Sequence, residues 1–333
     1  MWFESLELLQ SSAERAGLPA RTVRDLVDTA RPALVMARVL VKDADLPIGS
    51  SKLCGDPDLP STMPWPVRPA YPDGEDRRRV YERLARETES ERLADQYRVL
   101  ADTVMRPFPL AFLCQFDLTE LSTLPGFDPS LPEHGRLLVF CDTPHGSWSR
   151  PTDGHWLKVI WDQTDVTQLD RREAPHEIQE AYGSGAFPYS DGSWREHADA
   201  ETLRFSSVIS VCQRWRDDLA IGSPQRHALY EWERSVTERI EPSEGTMFSD
   251  RLGGWPAPIQ GGPEREAQLA FHGRSSDDRS AETTLLLRQS HEWQHVLTIG
   301  GESYNPARLT LEARLHQPAS AAASPGRTCL RPW

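Results

Sequence analysis

The run His291-Glu292-Trp293-Gln294-His295 is the sharpest chemical pattern in the chain. On a helix, histidines at i and i+4 share a face and can hold one Zn²⁺. A glutamate between them can then activate the metal-bound water. The flanking residues argue for a different backbone. Trp293, Val296, Leu297, Thr298 and Ile299 favour a strand, and Gly300-Gly301 ends the run at once. On a strand the two histidines stand about 13 Å apart, too far for one ion. The expectation is a strand over 293–299, with no metal and no cofactor. The alternative is a zinc-dependent metallohydrolase using His291, Glu292 and His295.

Weaker patterns lie elsewhere. Gly253-Gly254 and Gly261-Gly262 bracket Trp255-Pro256-Ala257-Pro258-Ile259-Gln260. A phosphate cradle needs a helix N-terminus after the glycines, and prolines stand there instead. The segment reads as a tight loop whose Trp255 face and Gln260 amide can meet a ligand or partner. Asp56, Asp58 and Asp117, near Gln115, can be drawn as an acidic cation site. Turn capping by Asp58 and helix capping by Asp117 account for the same residues. No G-x-S-x-G is present, and the five cysteines form no C-x-x-C, which argues against a nucleophile elbow, a disulfide scaffold and a cysteine zinc site. Cys114 and Cys141 lie in apolar strand contexts and read as small core residues. No residue set meets the geometric demands of a reaction, so the chain reads as not an enzyme.

The elements that must position these residues are mixed. Residues 2–16 read as an amphipathic helix stopped by Gly17, and a second helix starts near Pro19 and ends before Pro32. Residues 33–41 suit a strand. The proline-rich stretch 54–74 reads as an ordered surface loop or edge. Val80, Leu84, Leu93, Tyr97, Leu100 and Val104 predict one long helix, or two shorter ones, over 76–104. Strands are expected at Leu110–Phe116, Arg136–Cys141, Trp156–Trp161, Leu203–Val211 and Thr283–Leu287. A helix is expected over 225–240, with Ser223 as N-cap. Of the 11 tryptophans, Trp65, Trp156, Trp161 and Trp215 are expected in the core. Trp65 and Trp255, beside Pro and Gly, also suit a recognition surface. Helices and strands without regular βαβ alternation indicate an α+β fold.

Composition narrows the partners. The 333 residues carry 50 acidic and 37 basic side chains, a formal net charge of −13. That balance opposes nucleic-acid binding. No apolar run approaches the length of a membrane span, and the acidic start lacks a basic n-region, so a cytoplasmic location is expected.

Two segments echo each other. Ser51-Lys52-Leu53-Cys54-Gly55-Asp56-Pro57-Asp58-Leu59-Pro60 and Asp250-Arg251-Leu252-Gly253-Gly254-Trp255-Pro256 share a basic residue, Leu, a glycine turn and a proline. These blocks, with Met63-Pro64-Trp65-Pro66, Pro109–Leu118, Gly135–Asp142 and Glu292–Leu297 in that order, resemble the YwqG-like family of bacterial proteins. The resemblance implies a cytoplasmic α+β protein with two related sheet-containing halves, and no reaction. The corresponding organisation has N-terminal helices and a first strand over 1–45 and a YwqG-like domain over 46–316. Its halves are 46–200, with the 76–104 helical insertion, and 201–316, followed by a disordered tail over 317–333. Gly55, Pro57, Asp58, Pro60, Gly253, Gly254 and Pro256 form the loop signature. Trp65, Gln115, Trp255 and Gln260 are the candidate contacts for an unknown protein or small ligand, on two loops expected to flank one cleft. A toxin-neutralising, immunity-type role is the other reading.

Overall fold

The computed structural model describes residues 1–142, 157–182, 187–188, 194–195, 199–211, 224–239, 250–256, 263–274, 278–290, 293–299, 309–314 and 329–331. The chain opens with β1 (Trp2–Phe3), α1 (Leu6–Arg15), α2 (Ala20–Asp28) and β2 (Arg31–Lys42). Next come β3 (Lys52–Cys54), β4 (Asp58–Pro60), β5 (Val67–Arg68), α3 (Gly74–Glu87) and α4 (Glu91–Thr103). They lead to β6 (Phe108–Pro109), β7 (Ala111–Asp117), α5 (Leu118–Leu121), β8 (Arg136–Cys141), β9 (Leu157–Asp162) and β10 (Leu169–Arg171). After α6 (His176–Tyr182), β11 (Phe187–Pro188) and β12 (Trp194–Arg195) come β13 (Asp199–Ser210), α7 (Pro224–Arg239) and β14 (Asp250–Gly253). The last elements are α8 (Pro263–Phe271), α9 (Ala281–Leu287), β15 (Trp293–Ile299), β16 (Leu309–Arg314) and β17 (Cys329–Arg331). The fold is α+β, and every described strand pairing is antiparallel.

The chain divides into two units. The first holds Met1–Ala37, Leu121–Glu133 and Arg204–Cys329, and the second Arg38–Glu120, His134–Leu203 and Leu330–Trp333. In the first unit β16, β15, β14 and β2 are successive neighbours, and β1 pairs with β13. Its helical core joins Leu9 and Ala13 of α1, Val23 and Leu26 of α2, and Leu229, Trp232 and Val236 of α7. Ser5 caps α1 by accepting the Leu8 N–H at 3.3 Å. Gly17, at φ +72°, ends it. The Leu18 N–H donates to the Ala13 carbonyl and the Gly17 N–H to that of Glu14, which closes the last turn. The helix starts later than its periodicity suggests because Trp2 and Phe3 pair with Ser210 and Ile209.

In the second unit β13, β3, β7, β8 and β9 are successive neighbours. Leu59, Leu110, Phe112, Leu138 and Phe140 form its core. The proline-rich stretch is less superficial than expected. Pro57 and Pro60 leave Asp58-Leu59 between them to pair with β10, and both residues are fully buried. The charged segment forms two helices, separated where the Ser90 hydroxyl accepts the Leu93 N–H. Their buried face is rotated from the expected stripe. Arg77, Tyr81 and Ala85 are buried, whereas Leu93 is 38% exposed. Aromatic and guanidinium surfaces fill this face: Tyr81 stacks on Tyr97 at 6.4 Å, and Arg77 lies 4.1 Å from the Tyr71 ring centre.

Two expectations need correction. Thr283–Leu287 belongs to helix α9, because Ser280 caps it by accepting the Thr283 N–H at 3.2 Å. Trp161 is 46% exposed and lies outside the core. Of the tail expected over 317–333, residues 329–331 are described, as β17, and the others lie outside the described residues. Trp156, Trp215 and Ser223 lie outside the described residues. Among the described residues, no helix is long and apolar enough to cross a membrane.

Candidate functional site

The two echoing segments fold into the same turn. Each continues a short strand through two consecutive left-handed residues: Cys54 (φ +57°) and Gly55 (φ +69°), or Gly253 and Gly254 (both φ +73°). Backbone N–H groups that leave a strand ladder in such a turn need acceptors from elsewhere in the chain. In both turns a carboxylate of the chain itself supplies one.

In the second unit the carboxylate belongs to Asp43. It accepts the Asp56 N–H at 2.8 Å and the Lys52 ammonium at 2.6 Å. A Cβ on Gly55 would stand 2.6 Å from the Asp43 carboxyl carbon, so this close approach requires glycine. Lys52 also donates to the Asp56 carbonyl, four residues on, at 2.5 Å. Burial pushes the Lys52 ammonium below the usual lysine range, and the nearby Asp58 and Asp43 carboxylates push it back up.

Asp58 and Gln115 extend the network. The Gln115 amide accepts the Asp58 N–H at 3.0 Å and donates to the Asp58 carboxylate at 2.7 Å and the Ser50 carbonyl at 2.8 Å. Asp58 also accepts the Gly49 N–H at 2.8 Å and the Arg171 Nε–H at 3.0 Å. Asp117 stands apart from this hub and caps α5, accepting the Thr119 N–H at 3.0 Å.

In the first unit the carboxylate belongs to Asp128. It accepts the Gly254 N–H at 3.3 Å and the Gln294 amide at 3.1 Å. Ser210 Oγ accepts the Trp255 N–H at 2.8 Å, the same backbone position that Asp43 serves in the other turn. Arg251 donates to the Trp255 carbonyl at 2.9 Å, again four residues on. Asp43, Arg171, Asp128 and Gln294 are the residues that sequence reading missed. Their partners lie up to 166 positions away in the chain.

The strands beside the turns also correspond. Leu53 pairs with Cys114, and Leu252 with Leu297. The register shifts one residue before each partner, so Leu113 of β7 and Val296 of β15 are bulged.

The candidate contact residues have definite places. Trp65 is half-buried, with its indole N–H on the Leu110 carbonyl at 2.8 Å and its ring edge-on to Phe140 at 5.5 Å. Trp255 is buried, with its N–H on the Thr29 carbonyl at 2.6 Å and the Arg31 guanidinium 3.8 Å from its ring centre. It therefore packs inside its unit. Gln115 is buried in the network above, and Gln260 lies outside the described residues. The loop at 51–66 belongs to the second unit and that at 251–256 to the first.

Of the HEWQH run, Trp293–His295 lie on strand β15, while His291 and Glu292 lie outside the described residues. His295 is buried, with Nδ1 2.9 Å from the Gly253 carbonyl and Nε2 2.7 Å from Thr298 Oγ1. Both ring nitrogens are therefore engaged within the protein. Among the described residues, no group of three or more His, Cys, Asp or Glu side chains is placed to hold a metal ion.

An antiparallel α+β protein with a carboxylate-filled turn in each unit is the class these features define. The chain belongs to the family described as a domain of unknown function (DUF1963), which matches residues 51–305. No curated protein matches the sequence.

Proposed function

We propose that the chain is a YwqG-like, bacterial, cytoplasmic binding protein without catalytic activity, built from two related halves. The matching turns, bulges and basic-to-carbonyl bonds support the duplication. The DUF1963 match is consistent with the YwqG-like reading.

One observation carries the binding role. The loop that follows the Asp58 network is pinned yet open. The Met63 N–H donates to the Pro60 carbonyl at 3.0 Å, Arg172 donates to the Met63 carbonyl, and Trp65 is anchored as described. Ser61, Thr62, Pro64 and Val67 nevertheless remain exposed. A surface fixed before contact loses little entropy when a partner docks. Gln115 and Trp255 serve this reading as supports, with Trp65 at the contact itself.

Affinity capture from the native cell, with wild type and Val67→Glu compared quantitatively, tests the role. Specific partners depleted by the substitution, in a protein of unchanged thermal stability, are the expected result. Identical profiles for the two proteins overturn the assignment of this loop. If the captured partner is a basic toxin, the role takes its immunity-type form. Stoichiometric zinc in untagged protein overturns the non-catalytic reading.

A further inference from the structure

We propose that the groove between α1 and α2 binds a free aliphatic amino acid of about the size of leucine. The groove encloses about 310 Å³, at the lower end of the range of ligand pockets, which suits a small molecule. Both helices belong to the first unit, so this site is separate from the loop at 61–67 proposed above for a partner.

The floor of the groove is aliphatic. Leu18 and Val23 are only 6% and 5% exposed, and Val27 packs, partly buried, against the same helical core. No aromatic ring lines it, so it offers no platform for stacking a base or a sugar. A branched aliphatic side chain is the group this floor can take out of water.

The rim carries both signs of charge. Arg24 and Asp28 stand one turn apart on α2, and Glu14 lines the groove from α1. All three are exposed. Arg21 and Asp25, one position along, form an ion pair at 3.9 Å. Arg24 and Asp28 make no ion pair and no side-chain hydrogen bond among the described residues. Glu14 accepts the Gln10 amide at 2.8 Å through one oxygen and keeps the other. An α-amino acid answers this arrangement from a single carbon. Its carboxylate reaches the Arg24 guanidinium, its ammonium reaches Glu14 or Asp28, and its side chain lies on Leu18, Val23 and Val27. A fatty acid leaves the rim carboxylates unanswered, and a simple amine leaves Arg24 so. That difference is the source of selectivity.

Isothermal titration of the full chain with L-leucine tests the proposal. One-to-one binding with a Kd of about 1 mM or tighter is expected. Three probes each remove one feature. Glycine lacks the side chain, N-acetyl-leucine lacks the ammonium, and leucinamide lacks the carboxylate and stands for the N-terminus of a peptide. Each is expected to bind at least about tenfold more weakly than leucine. Arg24→Gln is expected to weaken leucine about tenfold, while Arg24→Lys, which keeps the charge, retains most of the affinity. Arg24 is exposed, and far-UV circular dichroism checks that both variants keep their fold. No binding of leucine up to about 10 mM overturns the proposal. So does leucinamide or glycine binding as tightly as leucine, or leucine binding that is indifferent to Arg24→Gln. None of these outcomes depends on whether Val67→Glu alters partner capture.

Discussion

The Lys52 ammonium lies 2.6 Å from the Asp43 carboxylate, and both side chains are buried. Breaking such a pair by removing one partner leaves an uncompensated charge out of water. Asp43→Asn is expected to cost about 3–5 kcal/mol in urea denaturation. Adding Lys52→Met to it is expected to cost less than the sum of the two single changes.

The same lysine predicts a pH dependence. Burial holds its folded pKa below the ordinary 10.5. Between the folded and unfolded values the unfolded chain binds more protons, so this group's contribution to stability rises with pH across that window. Wild type is therefore expected to gain on Lys52→Met as pH climbs toward 10.5, as read by denaturant midpoints. A gap that narrows instead contradicts the assignment.

Asp278 gives an acid-side counterpart. Its carboxylate accepts the Ser280 N–H at 2.9 Å and the Thr283 hydroxyl at 2.8 Å, which hold its pKa at about 2. A depressed acid stabilises above its unfolded pKa and loses that contribution as pH falls through the folded one. The stability difference between wild type and Asp278→Asn is expected to shrink between 3.8 and about 2, by thermal melts in acid.

The two turns are predicted to differ in one substitution. Cys54 takes the first left-handed position in the second unit. A Cβ on Gly253, its counterpart, would stand 2.7 Å from the Asp128 Cβ. Gly253→Cys is expected to destabilise by more than about 2 kcal/mol. Gly17→Ala, with the same sign of φ and nothing within 4 Å, is expected to cost about 1 kcal/mol. Equal losses by chemical denaturation would show that the carboxylate exerts no steric constraint.

For His295, treatment with a chelator is expected to leave the melting temperature unchanged. His295→Ala is expected to lower stability by about 2–3 kcal/mol, through its lost hydrogen bonds and the void left behind. A drop in melting temperature on chelation would instead identify a resident metal.

Local pattern explains what was legible. The β-branched and aromatic run at 293–299 marks its strand despite the histidines, and α2 and α7 follow their apolar spacing. Thr283–Leu287 misleads because a short apolar run suits either element, and the capping Ser280 decides it. The glycine turns are visible as a repeat, since left-handed backbone selects glycine. Their fillings are not visible, because nothing local distinguishes Asp43 or Asp128 from solvated aspartates. Lys52 offered one hint: it is one of only three lysines and stands directly before the apolar pair Leu53-Cys54.

The family match begins at residue 51, after Asp43. An expression fragment cut to those limits would bury Lys52 without its hydrogen-bonded carboxylate and leave the Asp56 N–H without its acceptor. It would also lack β2, the neighbour of β14. A fragment that keeps both contacts therefore begins upstream of the homologous segment, within the N-terminal helices and first strand.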